Sequence, residues 1–425
     1  RLFVTGAVRI DDNSAFGTSF NRVFYPKASL SYVMSEEPRL AHFFDRIRAD
    51  NFKFRLAYGQ AGHAPGPYDA LRTYTGTKVI NGNNSSSSAL IPSAPGNVDL
   101  HAERGVETEG GVDASFLQGR LGIEFTRYHK STQDALLLIP NAPSTGFTAS
   151  RYVNFGSLVN TGNELGLTFR PIDRANFAWD ARFNYSSNHN KLTKLKYLGL
   201  TSIEIFDPYL PVNAQRIRET FPVAGWWAID AQRNPDGTFL LSPTGALQLD
   251  TLKYVGPSTP THEGSFSSTF TIMKNLRLYG LIDFKGGNFI LNQKERNRIQ
   301  TQLNGAAINN GTIATALDSS YYRNTSITRP WIQPADFVKL RDLSAALSLP
   351  ESFSNALRVN RATFTVTGHN LAILSKKYDG IDPEVNFIGN STFLAGSSTF
   401  IQFLRVDSYT LPMLRRWTAS LTLNF

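Results

Sequence analysis

Residues 415–425 read RRWTASLTLNF, and the order of side chains within them decides the fold. From Trp417 onward, Trp417, Ala419, Leu421, Leu423 and Phe425 fall on one face, and Thr418, Ser420, Thr422 and Asn424 on the other. A period of two belongs to a strand, because successive strand side chains point to opposite faces. The stretch ends on a large aromatic at the tip of its apolar face.

The same alternation recurs upstream. NLRLYGLIDFKGG (275–287) sets Leu276, Leu278, Ile282 and Phe284 against Arg277, Tyr279, Asp283 and Lys285. NFKFRLAYG (51–59), ELGLTFRP (164–171) and NFAWDARFNYS (176–186) repeat the pattern with Phe, Leu and Trp on one side and Lys, Arg, Glu and Asp on the other. Twelve strands follow, near 1–11, 23–34, 51–60, 106–117, 120–131, 161–172, 176–187, 264–273, 275–286, 336–349, 360–369 and 410–425.

Connection lengths then separate two architectures. Tight turns are predicted at LQGR (117–120), IDRAN (172–176) and MKN (273–275), with long loops near 61–105, 132–160, 188–263, 287–335 and 370–409. Compact domains rarely carry loops beyond about 12–15 residues. Short turns on one side and long loops on the other are the pattern of an outer-membrane barrel, and strands of about 9–11 residues fit a tilted crossing of hydrocarbon. On that pattern the last strand finishes in the periplasm. A barrel must close, since unpaired edge amides cannot sit in lipid. Twelve strands could close by themselves, but the start on RLFVTGAVRI, with no secretory signal before it, implies further chain upstream.

Composition agrees with an all-β chain: 425 residues, 30 Phe, 16 Tyr, 32 Gly and 21 Pro, with no run of 18 apolar residues for a membrane helix. The absence of Cys excludes disulfides, thiolate metal sites and cysteine nucleophiles. A formal charge of +9 is scattered over strands and loops without a basic helix or arm, so nucleic acid is not a partner.

Several stretches resemble the C-terminal half of the SusC/RagA-type TonB-dependent transporters. They are FKFRLAYGQAG (52–62), TEGGVDASFLQGRLGIEFTRYHKSTQDALL (108–137) and NFGSLVNTGNELGLTF (154–169), then ADFVKLRDLSAALSLP (335–350), TVTGHNLAIL (365–374), YDGIDPEV (378–385) and the final LTLNF. They run in that family's order, although His369 stands where Gln is common and 188–255 matches poorly. The resemblance implies that residues 1–425 are the C-terminal part of a barrel of about 22 strands, our twelve being the last twelve. Plug domain, TonB box and about ten strands would lie upstream. It further implies a bacterial outer-membrane location, import of an oligosaccharide or peptide, a SusD-like surface lipoprotein as lid, and TonB as the energy source. The terminal strand with Trp417, Leu421, Leu423 and Phe425 is similar to the signal read by the barrel assembly machinery, with those side chains facing outer-membrane lipid. Two rival readings remain open: a passive porin or structural barrel, and a soluble β-sandwich binding module.

Chemistry for an enzyme is not found. The histidines at 42, 63, 101, 129, 189, 262 and 369 lack ligand spacing, and no P-loop or G-x-S-x-G is present. Glu107 and Glu109 share a strand face and read as bore-lining acids. Asp382 and Glu384 in IDPEV invite a metal reading, but the resemblance implies that Asp382, Pro383 and Glu384 are the family motif's loop anchor. No cofactor is expected. Trp226 and Trp227 in FPVAGWWAID and Trp331 in RPWIQP fall in outer loops and are the candidate substrate contacts, since aromatic faces suit sugar rings and apolar side chains.

Overall fold

The computed structural model describes residues 1–425 apart from 12–21, 81, 83–84, 140, 148, 197–198, 206–213, 302–304, 357 and 386–404. Among the described residues one antiparallel sheet of twelve strands dominates. Its strands are β1 (Leu2–Asp11), β2 (Val23–Val33), β3 (Ala49–His63), β4 (Glu103–Phe116), β5 (Leu121–Ile139) and β6 (Arg151–Arg174), then β7 (Phe177–Leu195), β8 (His262–Ile272), β9 (Leu276–Gly286), β10 (Phe337–Ser348), β11 (Arg361–Lys376) and β12 (Arg416–Asn424). Each pairs with its sequence neighbours, so β1 and β12 are the two edges. No helix in the described residues is long and apolar enough to cross a membrane.

Among the described residues, the tight reversals that join consecutive strands of this sheet lie at one end. Residues 117–120 turn through Leu117, Gln118 and Gly119, all with positive φ, and Met273 and Lys274 do the same before β9. Consecutive left-handed residues match the twist of flanking strands, which is why hairpins favour them. The β6–β7 reversal spans only residues 175–176, where Arg174 faces Phe177.

The opposite end corrects the loop bounds. The loop expected at 132–160 shrinks to 140–150, because β5 and β6 continue as paired strands to Ile139 and from Arg151. Likewise β7 runs on to Leu195, into the region expected to be loop. At about 3.3 Å per residue, β6 with its 24 residues is far longer than a membrane crossing requires. These strands rise as a wall beyond the hydrocarbon layer.

The two faces of the sheet differ as the alternation predicts. On the outer face Phe54, Val112, Phe125, Leu165 and Tyr185 lie in register across five strands. The row Phe183, Phe266, Ile282 and Leu340 runs from β7 across three more, and Leu347, Phe364 and Leu421 carry the apolar face to β12. These residues are not covered: Phe125 is 39% exposed, Phe266 42%, Phe364 42% and Leu421 50%. A sandwich would have buried them under a second layer. The belt is bare, as a lipid-facing belt must be. On the inner face the charges pair with one another: Asp113 holds Lys53 and Arg55 at 2.7 Å each, Lys285 meets Glu263 at 3.0 Å, and Lys130 lies 3.6 Å from Glu107.

The densely packed interior lies in the loops instead. One cluster joins Leu137, Ile139, Val153, Phe155 and Leu192, on the raised ends of β5–β7, to Ile205 and Ile217. A second joins Trp226, Leu291, Ile299, Trp331, Ile332 and Val406 from three separate loops.

Candidate functional site

The outer loops are positioned by two anchoring systems. The first is apolar. Segment 289–294 receives the returning end of the 377–415 loop: Leu291 and Val406 form a parallel bridge, and the Leu291 and Asp407 amides donate to the Arg405 and Leu291 carbonyls. Beneath it the Tyr378 hydroxyl donates to Asp407 at 2.7 Å. Burial, reinforced by that carboxylate, pushes the Tyr378 phenol above its ordinary range. Gly380 is needed here, since a Cβ on it would come within 2.1 Å of the Tyr378 ring.

The second anchor is ionic, and it begins with an irregularity in β10. Opposite β9 the register shifts, so that Ile282 faces Leu340 while Leu281 faces Asp342. Arg341 is the extra residue of this bulge. Lys339 is wholly buried, and its ammonium sits 2.6 Å from both Asp382 and Glu384. Arg341 bridges Glu384 at 2.6 Å to Asp283 of β9 at 2.8 Å. The Glu384 amide donates to Asp382 at 2.8 Å, closing the turn on itself. Five charged groups thus tie residues 382–384, including the buried Pro383, to the inner wall, and a backbone amide closes the turn. A charge this deeply buried persists only with such partners.

Above the ionic anchor opens a cleft of about 900 Å³. Its walls come from the loop that follows β7 (Asp230, Arg233), from the helix Gln293–Gln300 (Lys294, Glu295, Arg298), from Tyr321 and Tyr322, from Arg329–Gln333, and from Asp379–Ile381. Residues 379–381 immediately precede the anchored 382–384, so the clamp on the wall sets the lip of the cleft. A volume of this size is typical of a small-ligand site.

The residues expected from sequence fall as follows. Trp226, Trp227 and Trp331 do lie in the outer loops, but they are 0%, 3% and 2% exposed. Trp226 packs in the loop cluster and donates its indole N–H to the Phe289 carbonyl at 2.9 Å. Trp227 lies edge-on to Phe221 and Tyr254. Burial pushes the Tyr254 phenol up to about 12. The expectation that Trp226 and Trp227 present open faces to a ligand is therefore corrected: both rings fill the loop core. Of the three only Trp331 borders the cleft. Trp417, Leu421 and Phe425 are exposed along the outer face of β12, with Leu423 partly covered. Lys339, Arg341, Arg233, Arg329 and the Tyr321–Tyr322 pair were not anticipated. The spacing Lys339-x-Arg341 on one strand was the available signal, since positions i and i+2 share a face. Among the described residues no group of three or more His, Cys, Asp or Glu is placed to hold a metal ion.

Comparison with known proteins bears on this arrangement. The family model described as TonB dependent receptor-like, beta-barrel, matches residues 1–226, more than half of the chain. The chain belongs to that family. Over 457 residues this receptor-like barrel is 24% identical to TonB-dependent receptor P3 of Formosa agariphila, covering all of this chain and 44% of that protein. It is 29% identical over 203 residues to TonB-dependent receptor SusC of Bacteroides thetaiotaomicron, covering 46% of this chain and 20% of SusC. Its fold matches the structure of the RagAB peptide transporter with a TM-score of 0.78 at 19% identity, over all of this chain and 46% of that one. The receptor-like barrel thus spans less than half the length of these relatives. In sequence it is SusC-like, as the motifs at 154–169 and 365–385 implied.

Proposed function

We propose that this chain is the C-terminal part of an outer-membrane importer that takes up an oligosaccharide or a peptide, driven by TonB and lidded by a SusD-like lipoprotein. The observation that carries the reading is the sheet itself: a bare apolar belt outside, paired charges inside, and packed loops holding a cleft at one end. Membership of the TonB-dependent receptor-like family supports it, as do relatives named SusC and a peptide transporter. No bond is made or broken in such a protein. Cargo binds at the outer loops and is released inward by conformational gating. The edges of β1 and β12, which have no partner strand among the described residues, suit closure by further strands, because exposed edge amides are not tolerated in lipid.

The test is cargo uptake by cells with and without TonB. Uptake lost without TonB while surface binding persists supports import, and uptake that continues unchanged returns the passive-porin reading. Co-purification of a surface lipoprotein with the detergent-extracted protein tests the lid. Removing Phe425 should lower outer-membrane abundance through the barrel assembly machinery, read by immunoblot of membrane fractions. Normal assembly without it removes that role from the terminal strand.

A further inference from the structure

We propose that the outer cleft is a subsite for carboxylate-bearing cargo, with Arg233 and Arg329 as the groups that receive the anion. The proposal deepens the import reading and rests on it for the word cargo, but not for the binding itself. Seven charged side chains line the cleft. Its three carboxylates are engaged: Asp230 accepts from the Tyr321 hydroxyl at 2.6 Å and the Ala231 amide at 2.8 Å, Glu295 faces Arg298 at 3.4 Å, and Asp379 accepts from Gln333 at 3.0 Å. Of the cations, Arg298 is matched by Glu295, and Lys294 lies 3.8 Å from the buried Asp407. Arg233 and Arg329 are different. Each donates to a backbone carbonyl, of Gly237 at 3.0 Å and of Ile332 at 3.1 Å, and neither forms an ion pair with any described carboxylate.

The surroundings hold these guanidinium groups in place. Arg233 stacks over Phe239 at 4.2 Å and lies 5.7 Å from the Tyr321 ring. Tyr321 meets Tyr322 edge-on at 5.0 Å, and Tyr322 meets Trp331 edge-on at 5.8 Å. An unbroken aromatic row therefore runs from Arg233 to the turn that carries Arg329. At its far end Trp331 is packed into the loop core and fixes the base of the turn. Guanidinium forks match carboxylate geometry, Arg233 and Arg329 are both exposed to the cleft, and the partly exposed Tyr322 between them suits either a sugar ring or a peptide side chain.

Isothermal titration on the detergent-extracted protein tests this with four ligands of equal length: an oligogalacturonate, a glutamate-rich peptide, a neutral glucan and a neutral peptide. At least one acidic ligand should bind ten times or more tighter than its neutral counterpart, weaken as salt is raised, and identify by its class which source the cleft takes. Arg329→Gln and Arg233→Gln should each weaken that ligand about tenfold, as loss of a charge-assisted hydrogen bond does. Arg329→Lys should recover part of the loss, and Lys253→Gln, an exposed lysine outside the cleft, should change nothing. Equal affinity for acidic and neutral ligands overturns the proposal. So does unchanged affinity in both arginine variants, provided their loops keep the parent's proteolytic pattern. If the acidic ligand binds but its uptake ignores TonB, the import reading fails and the subsite stands. If neutral cargo is imported with no acidic preference, the subsite fails alone.

Discussion

The wall of the sheet and the loops at its outer end are built for two different solvents. In the wall, Phe125, Phe266 and Leu421 stay about 40–50% exposed, and the strands are held by continuous backbone ladders. In the loops, Trp226, Leu291, Ile299 and Ile332 are fully buried, as in any protein folded in water. The hydrophobic effect organises the second region. In the first it has little to act on, because lipid is as apolar as the side chains, and the hydrogen-bond requirement of backbone in hydrocarbon takes its place. One chain thus carries a hydrogen-bonded frame and a packed cap, joined where β5–β7 rise above the membrane and where Lys339 grips residues 382–384.

If this division is right, the two regions should fail separately. Trp226→Ala removes the largest fully buried side chain and the partner of the Phe289 carbonyl, so a loss of about 3–5 kcal/mol for the cavity plus about 1 for the bond is expected. Limited proteolysis should then cut the loops while heat-modifiable gel migration of the barrel is unchanged; loops and barrel lost together would dissolve the distinction. Lys339→Met leaves Asp382 and Glu384 without their ammonium, costing about 3–5 kcal/mol. Hydrogen exchange should rise at 377–385 first, and additional Asp382→Asn and Glu384→Gln changes should restore part of the protection. Phe266→Arg, in the belt, should cost about 2–4 kcal/mol if it lies near mid-depth. The measurement is refolding into lipid vesicles, and an unaffected yield would mean that the belt does not meet hydrocarbon.

The smallest effect is a titration. Burial raises the phenols of Tyr254, Tyr321 and Tyr378, all in the loops, with Tyr254 pushed up to about 12. A phenol raised on folding favours the neutral form, so its contribution is complete below about pH 10 and lost as pH climbs through the folded value. Absorbance at alkaline pH should show some tyrosines ionising late, together with loop opening and before the barrel fails.

How much was legible in the sequence follows from the same division. Where one face meets lipid and the other water, alternation is clean, and all twelve strands stand in the expected order. It fails where both faces are covered. From Ala135 to Ile139 the residues are unbroken apolar, and the alternating signal stops although the strand does not. The tryptophans failed for a related reason. The apolar run from Phe221 to Ile229 marks a buried segment, but residue type alone does not distinguish a packed indole from one offered to a ligand. The 382–384 anchor was suggested by resemblance; the i, i+2 spacing of Lys339 and Arg341 hinted at a shared face, but the register shift that makes Arg341 the extra residue is announced by no local pattern.

That register shift has an evolutionary corollary. Before Arg341 the lipid side of β10 is Val338 and Leu340; after it the parity changes, to Leu343, Ala345 and Leu347. Arg341 works as a frame-shift point within the strand. Deleting it would leave both stretches correctly oriented, whereas losing a residue from within either stretch would turn greasy side chains inward and polar ones outward unless the bulge migrated to compensate. Lineages descended from this chain are thus free to vary the length of β10 at one place, and there the change would be felt in the clamp rather than in the membrane.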